Sequence, residues 1–124
     1  MNQRYTLLCG SALGLSAVAI GAFGAHALKA TLTATGRLET YELAVQYQFY
    51  HALAMLLVGS LMPQYGTAPL RYASFSFFAG TLLFSGSLYV LSFTGLGVLG
   101  AITPLGGVLF IAGWGLMFTG IYKK

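Results

Sequence analysis

Charge is what this sequence has least of: 6% of its 124 residues are charged, against roughly 25% in soluble domains. A small soluble domain still exposes about 40% of the surface of its unfolded chain. Six bases and two acids cannot solvate that area, and with 57% hydrophobic residues the solvent that fits is lipid. Acids are the scarcest charge, Glu39 and Glu42 alone. No serine, histidine and buried acid can be grouped into a catalytic set, so the chain is expected not to be an enzyme. The bases Arg4, Lys29, Arg37, Arg71, Lys123 and Lys124 stand at the ends of apolar runs. They form no basic patch interleaved with aromatics, which excludes nucleic acid as an expected partner. A single cysteine, Cys9, allows no intrachain disulfide and no cysteine metal motif. Leu7-Leu8-Cys9-Gly10 has the look of a lipoprotein processing box, but no apolar segment stands before it, and a buried, inert thiol is expected.

What is abundant is uncharged, apolar sequence in long runs. Residues 6–28 form the first, 23 residues that would reach roughly 34 Å as a helix at about 1.5 Å per residue, enough for a ~30 Å hydrocarbon core. That run is too long for a cleavable signal, whose apolar region is about 7–15 residues. Residues 43–62, 72–93 and 102–122 supply three more. In lipid each backbone amide must be satisfied within its own segment, so all four are expected to be helices. The connections, 29–42, 63–71 and 94–101, are polar or rich in turn residues and short enough to make successive helices antiparallel neighbours. Leu38, Tyr41 and Val45 fall at i, i+3 and i+7, which predicts a short interfacial helix that begins near Leu38 and turns into span two. The expected fold is thus an all-α membrane protein: one domain of four transmembrane helices in an antiparallel bundle, with a short interfacial helix between spans one and two.

The bases set the orientation. Arg4, Arg71, Lys123 and Lys124 fall on one side of a four-span chain, and Lys29 and Arg37 on the other, beside Glu39 and Glu42. The excess places both termini in the cytoplasm of a multi-pass inner-membrane protein. Tyr5, Tyr65, Tyr72 and Tyr122 fit an aromatic belt on that side.

Gly10, Gly14, Ala17, Gly21 and Gly24 recur at spacings of four and three, one narrow stripe on span one. Gly106, Gly113 and Gly120 make a similar series on span four, and Ala73, Ser76, Gly80 and Ser87 one on span three. Small residues let two backbones approach closely, so these are read as packing seams. They outnumber what one bundle needs. A homo-oligomer or a larger membrane complex is therefore expected, with membrane lipids as the surrounding partner.

Gly95-Leu96-Gly97-Val98-Leu99-Gly100 matches the dinucleotide fingerprint as a string, but that motif needs a strand before it and a helix after it in a βαβ unit. Between two lipid helices it is expected to be a loop. The polar residues of the outer half are more informative. His51 lies near mid-membrane and shares a helical face with Ala44, Gln48, Met55 and Gly59, a face that should look into protein. Counted from the outer ends of spans two and three, His51 and Ser85 lie at similar depth, with Gln48 one turn above. His26 falls nearer Gln46 and Thr103, and Glu42 sits just outside. Three uses compete for this cluster: interhelical hydrogen bonds at about 0.6 kcal/mol each, a proton or small-solute site, and metal or haem ligation. The depths of His26 and His51 differ by about 6–9 Å, which disfavours a bis-histidine haem, and zinc would find only Glu42 as a third ligand. No cofactor is expected.

Four segments together carry a resemblance: Gly21-Ala22-Phe23-Gly24-Ala25-His26-Ala27-Leu28-Lys29, Tyr47-Gln48-Phe49-Tyr50-His51-Ala52-Leu53-Ala54, Leu83-Phe84-Ser85-Gly86-Ser87-Leu88-Tyr89 and Ile102-Thr103-Pro104-Leu105-Gly106-Gly107. The chain resembles the YgdD/YwdK-like family of small bacterial inner-membrane proteins, a domain of unknown function with small mitochondrial transmembrane relatives. The resemblance implies four membrane helices and no established activity. Its motif positions fall on His26, Lys29, Gln48, His51, Ser85, Ser87, Thr103 and Pro104. Where such proteins often carry tryptophan, after Leu38-Glu39-Thr40, this chain has Tyr41. The function expected is a non-enzymatic oligomer or accessory subunit of a membrane complex. A small transporter or channel-like oligomer is the alternative, and a cofactor-binding redox subunit the lower one.

Overall fold

The computed structural model describes residues 1–66 and 68–123 and contains five α-helices and one 3-10 turn, with no strand among the described residues. The helices are α1 (Gln3–Ala25), α2 (Lys29–Ala34), α3 (Leu38–Tyr65), α4 (Ala68–Thr94) and α5 (Thr103–Tyr122). The 3-10 turn, Gly97–Ala101, occupies the glycine string between α4 and α5, where a helix rather than a strand leads in.

Capping chemistry sets the helix ends. Asn2 accepts the Tyr5 N–H at 2.8 Å and opens α1, satisfying one of the donors that a helix start leaves free. The backbone leaves helical geometry at His26 (φ −122°, ψ −81°), so α1 spans 3–25 rather than the 6–28 expected. α2 ends in a left-handed turn at Gly36 (φ 71°), with Arg37 N–H returning to Leu32 O at 2.9 Å, the bond that typifies a glycine-terminated helix. Gly66 (φ 56°) closes α3 and Gly95 (φ 70°) follows α4.

The short helix between the first two long ones is therefore α2, over 29–34, and not a segment beginning at Leu38. Leu38 does begin a helix, but α3 runs unbroken from it for 28 residues. The break falls earlier because Gly36 takes the positive φ, and nothing from Leu38 to Met62 interrupts helical bonding. Pro63 then lies within the last turn of α3. Lacking an N–H, it leaves the Gly59 carbonyl without its helical donor. The Gln3 side chain supplies the replacement, Nε2 to Gly59 O at 3.1 Å, which ties the start of α1 to the end of α3.

The long helices pack in chain order, α1 on α3, α3 on α4 and α4 on α5, and α1 is not packed against α5. The apolar core gathers around Met55 and Val58 of α3, Leu70, Ala73 and Phe77 of α4, and Phe110 and Met117 of α5. The outward faces carry Leu15, Phe23, Leu53, Phe75, Ile111 and Phe118, each more than half exposed. Three helical stretches are long and apolar enough to cross a membrane: Gln3–Ala25, Ala68–Thr94 and Gly97–Tyr122. α3 has the length but is less apolar, because Gln46, Gln48 and His51 fall within it.

Candidate functional site

The buried face of α3 carries Tyr41, Ala44, Gln48, His51, Met55 and Val58 at helical spacing, and it is here that polar chemistry enters the interior. Gln48, 4% exposed, uses both ends of its amide. Nε2 donates to Leu13 O at 2.9 Å and to Ser16 Oγ at 2.7 Å on α1, while Oε1 accepts the Tyr89 hydroxyl of α4 at 2.6 Å. One side chain thus joins three helices. Two turns nearer the start of α3, the Tyr41 hydroxyl donates to Ile20 O of α1, and its ring meets Tyr89 and Phe93 of α4 edge-on.

His51 makes a second junction. Nδ1 lies 2.8 Å from Tyr47 O, and the Trp114 indole N–H donates to Nε2 at 3.2 Å. A carbonyl can only accept and an indole N–H can only donate, so the two contacts fix the neutral tautomer with its proton on Nδ1. The imidazole lies flat on Phe110, centroids 3.5 Å apart and planes within 5°. Phe77 and Trp114 flank it.

The residues singled out from sequence do not form one cluster. Ser85 donates to Ala44 O at 2.7 Å, well above His51. The reason is register: Ser85 stands nine residues before the end of α4, whereas His51 stands thirteen beyond the start of α3, about one helical turn deeper. Ser87 pairs with Thr103 at 2.6 Å, joining α4 to α5. His26 is exposed at the end of α1, beside Phe23 and Ala27, and lines a different cleft from His51. Glu42 is exposed too, at a shallow cleft with Gly21, Gly24 and Gln46. Lys29 opens α2, and Pro104 lies in the first turn of α5. Among the described residues no three His, Cys, Asp or Glu side chains come together.

The glycine stripe of α1 faces α3. A methyl on Gly10 would stand 3.1 Å from Ala52 O, one on Gly21 3.2 Å from Val45 Cγ1, and one on Gly24 would enter the Tyr41 ring. Ala17 is fully buried, while at Gly14 the nearest atom would be Ala52 Cβ at 4.0 Å.

Sequence reasoning missed Ser16, Tyr89 and Trp114. The signal for Trp114 was present: the only tryptophan of the chain lies in mid-helix, away from the interfacial belt where that residue is enriched. Trp114 is 45% exposed, yet an indole N–H held away from water still seeks an acceptor, and mid-membrane acceptors are few.

The comparisons with known proteins agree with a membrane setting. The family described as "Protein of unknown function (DUF423)" matches residues 20–107. The chain is 42% identical over 123 residues to a UPF0382 membrane protein of Staphylococcus aureus (strain bovine RF122 / ET3-1), covering 98% of both chains. It is 43% identical over 113 residues to the UPF0382 membrane protein YwdK of Bacillus subtilis (strain 168), covering 90% of this chain and 91% of the relative. To the UPF0382 inner membrane protein YgdD of Escherichia coli (strain K12) it is 38% identical over 125 residues, covering 99% and 93%. No solved structure matches. With apolar helices long enough to cross a bilayer and near full-length relatives named as membrane proteins, this chain is a membrane protein and belongs to the DUF423 family.

Proposed function

We propose that this protein is a non-enzymatic membrane subunit whose α1, α3, α4 and α5 all cross the inner membrane as an antiparallel array, and that it assembles with further copies or with other membrane chains. The observation that carries this reading is that the two largest polar side chains of the interior, Gln48 and His51, are consumed by hydrogen bonds within the protein, while buried Thr6, Ser74, Thr81 and Ser92 bond to their own helices. Gln48 spends its amide on α1 and α4, and His51 spends both nitrogens. Among the described residues no buried side-chain nitrogen or oxygen lacks a partner. A general base or nucleophile needs a free lone pair facing a substrate, and neither group offers one.

The lower mean hydropathy of α3 does not oppose a fourth span. Gln48 and His51 lower the average but face protein, while Leu53, Leu57 and Tyr50 face outward. Arg4 and Arg71 lie near one end, where the Met1 amino group meets Arg71 O, and this supports cytoplasmic termini under the positive-inside rule. Since α1 and α5 are not packed on each other, each retains an outward apolar face through which assembly can proceed.

Native mass measurement in lipid nanodiscs tests the assembly, with a homo-oligomer or a defined hetero-complex expected and a monomer at every protein-to-lipid ratio counting against it. Reporters active only in the periplasm should stay silent at both termini; opposite signals would remove a span. Vesicle flux that depends on pH in the native protein and vanishes in His51→Gln would replace this reading with a transporter.

A further inference from the structure

Between α3 and α5 lies a cleft of about 460 Å³, within the 300–1,000 Å³ typical of small-molecule sites. Tyr47, Phe84, Phe110 and Trp114 form its aromatic walls, with His51 among them, and Gly107 of α5 lines it as well. We infer that this cleft binds the planar ring of a lipid-soluble molecule bearing a hydrogen-bond-accepting carbonyl, the chemistry of a quinone headgroup with its apolar tail in the bilayer.

Three features point to a ring rather than an acyl chain. First, the walls are stacked faces: Tyr47 lies on Phe84 at 4.5 Å and 26°, and His51 on Phe110 at 3.5 Å and 5°. Tyr47 is also within 28° of the Phe110 plane. Trp114 stands across His51 at 65° and Phe84 is tilted 49° from Phe110, so the walls present both ring faces and ring edges, and a flat ring can extend such a group by offset stacking or edge-to-face contact that an acyl chain cannot make. Second, one polar handle is left: Tyr47 is half-buried, and its accessible hydroxyl makes no hydrogen bond among the described residues, unlike Tyr41 and Tyr89. A phenol held among membrane helices without an acceptor is a donor available to a ligand. Third, a methyl added to Gly107 would meet nothing within 4 Å, so the missing side chain leaves room that the protein itself does not use. The cleft is lined by the middle of α3, by Phe84 of α4 and by residues 104–114 of α5, so its occupant arrives through lipid. The inference assigns binding and no reaction, and it leaves the assembly reading standing whichever way it falls.

Trp114 is the only tryptophan and lines the cleft, which makes the test direct. The protein in nanodiscs is titrated with a naphthoquinone carrying a short isoprenoid tail, and with the corresponding isoprenoid alcohol, while Trp114 emission is followed. The quinone is expected to quench saturably at one equivalent per chain, and the alcohol to leave emission unchanged. Gly107→Leu, whose Cβ meets no other atom and whose branch extends into the cleft, should abolish saturation while the protein still melts cooperatively. Tyr47→Phe should weaken binding by about three- to tenfold, the loss of one hydrogen bond. Linear, unsaturable quenching that is the same in Gly107→Leu overturns the site. Equal saturable responses to quinone and alcohol overturn the ring specificity and make the cleft an acyl-chain groove.

Discussion

The two outer interfaces, α1 on α3 and α4 on α5, both rely on glycine but are held differently. Between α1 and α3, side-chain hydrogen bonds reach across at Gln3, Tyr41 and Gln48, each ending on a backbone carbonyl of the other helix. Between α4 and α5, aromatic rings seat in glycine gaps: Phe77 against Gly113, Phe110 against Gly80 and Phe84 against Gly106. Ser87 with Thr103 is the only side-chain hydrogen bond between that pair among the described residues. In lipid, burial of apolar surface no longer favours one helix pairing over another, so specificity must come from shape or from polar groups. Each interface uses mainly one of these.

Substitution separates the two. The largest effect is expected at Gly106, where an added Cβ would strike the backbone nitrogen of Phe84, an atom that cannot step aside. Gly106→Val should lose stability at or beyond the upper end of the about 1–3 kcal/mol typical of overpacking, read as a shifted midpoint of Trp114 fluorescence in an SDS titration. A shift below a few tenths would mean that α4 and α5 are not in close contact.

Next comes Gln48→Leu, which removes three hydrogen bonds while keeping the bulk. At about 0.6 kcal/mol per membrane hydrogen bond, the loss should be on the order of 2 kcal/mol in the same titration. If Gln48→Leu is neutral, the Gln48 bonds do not hold α1 to α3, and the contrast between the two interfaces rests on Gln3 and Tyr41 alone.

A smaller effect is expected from the junction that crosses between α3 and α5. His51→Leu and Trp114→Phe, alone and together, should give a coupling of about 0.6 kcal/mol, and no more than about 2, from melting followed by circular dichroism. Additive losses would show that the indole N–H and Nε2 do not depend on each other. The smallest effect belongs to Gly14→Ala, within about 0.5 kcal/mol, because the new methyl reaches only van der Waals contact with Ala52. Gly24→Ala on the same stripe should be clearly worse, since its methyl meets the Tyr41 ring. Equal behaviour at the two positions would break the assignment of the stripe to α3.

Much of the architecture was legible because lipid leaves a chain few choices. Runs of some twenty uncharged residues must satisfy their own backbone, so four long helices could be placed from composition, and the buried side of α3 followed from Ala44, Gln48, His51 and Met55 recurring at helical spacing. The helix ends were less legible. His26 reads as a continuation of an apolar run, yet the chain leaves helical geometry there, and Gly36 two residues before Leu38 decided where the short helix would lie. The partners of the polar residues could not be read at all. Ser85 was matched to His51 by counting from assumed span ends, and a shift of one turn in register gave it to Ala44 O instead.

The sequence by itself determined the solvent, the helices and which face of α3 turns inward, because each depends on local pattern: charge scarcity, run length and the 3.6-residue period. Tertiary structure decided which atoms meet. Gln48 finding Ser16 and Tyr89, Gln3 replacing the donor that Pro63 lacks, and Trp114 fixing the tautomer of His51 all depend on the relative depth and rotation of separate helices. Those two quantities are set by how glycines and rings interlock across interfaces, and no single segment contains that information.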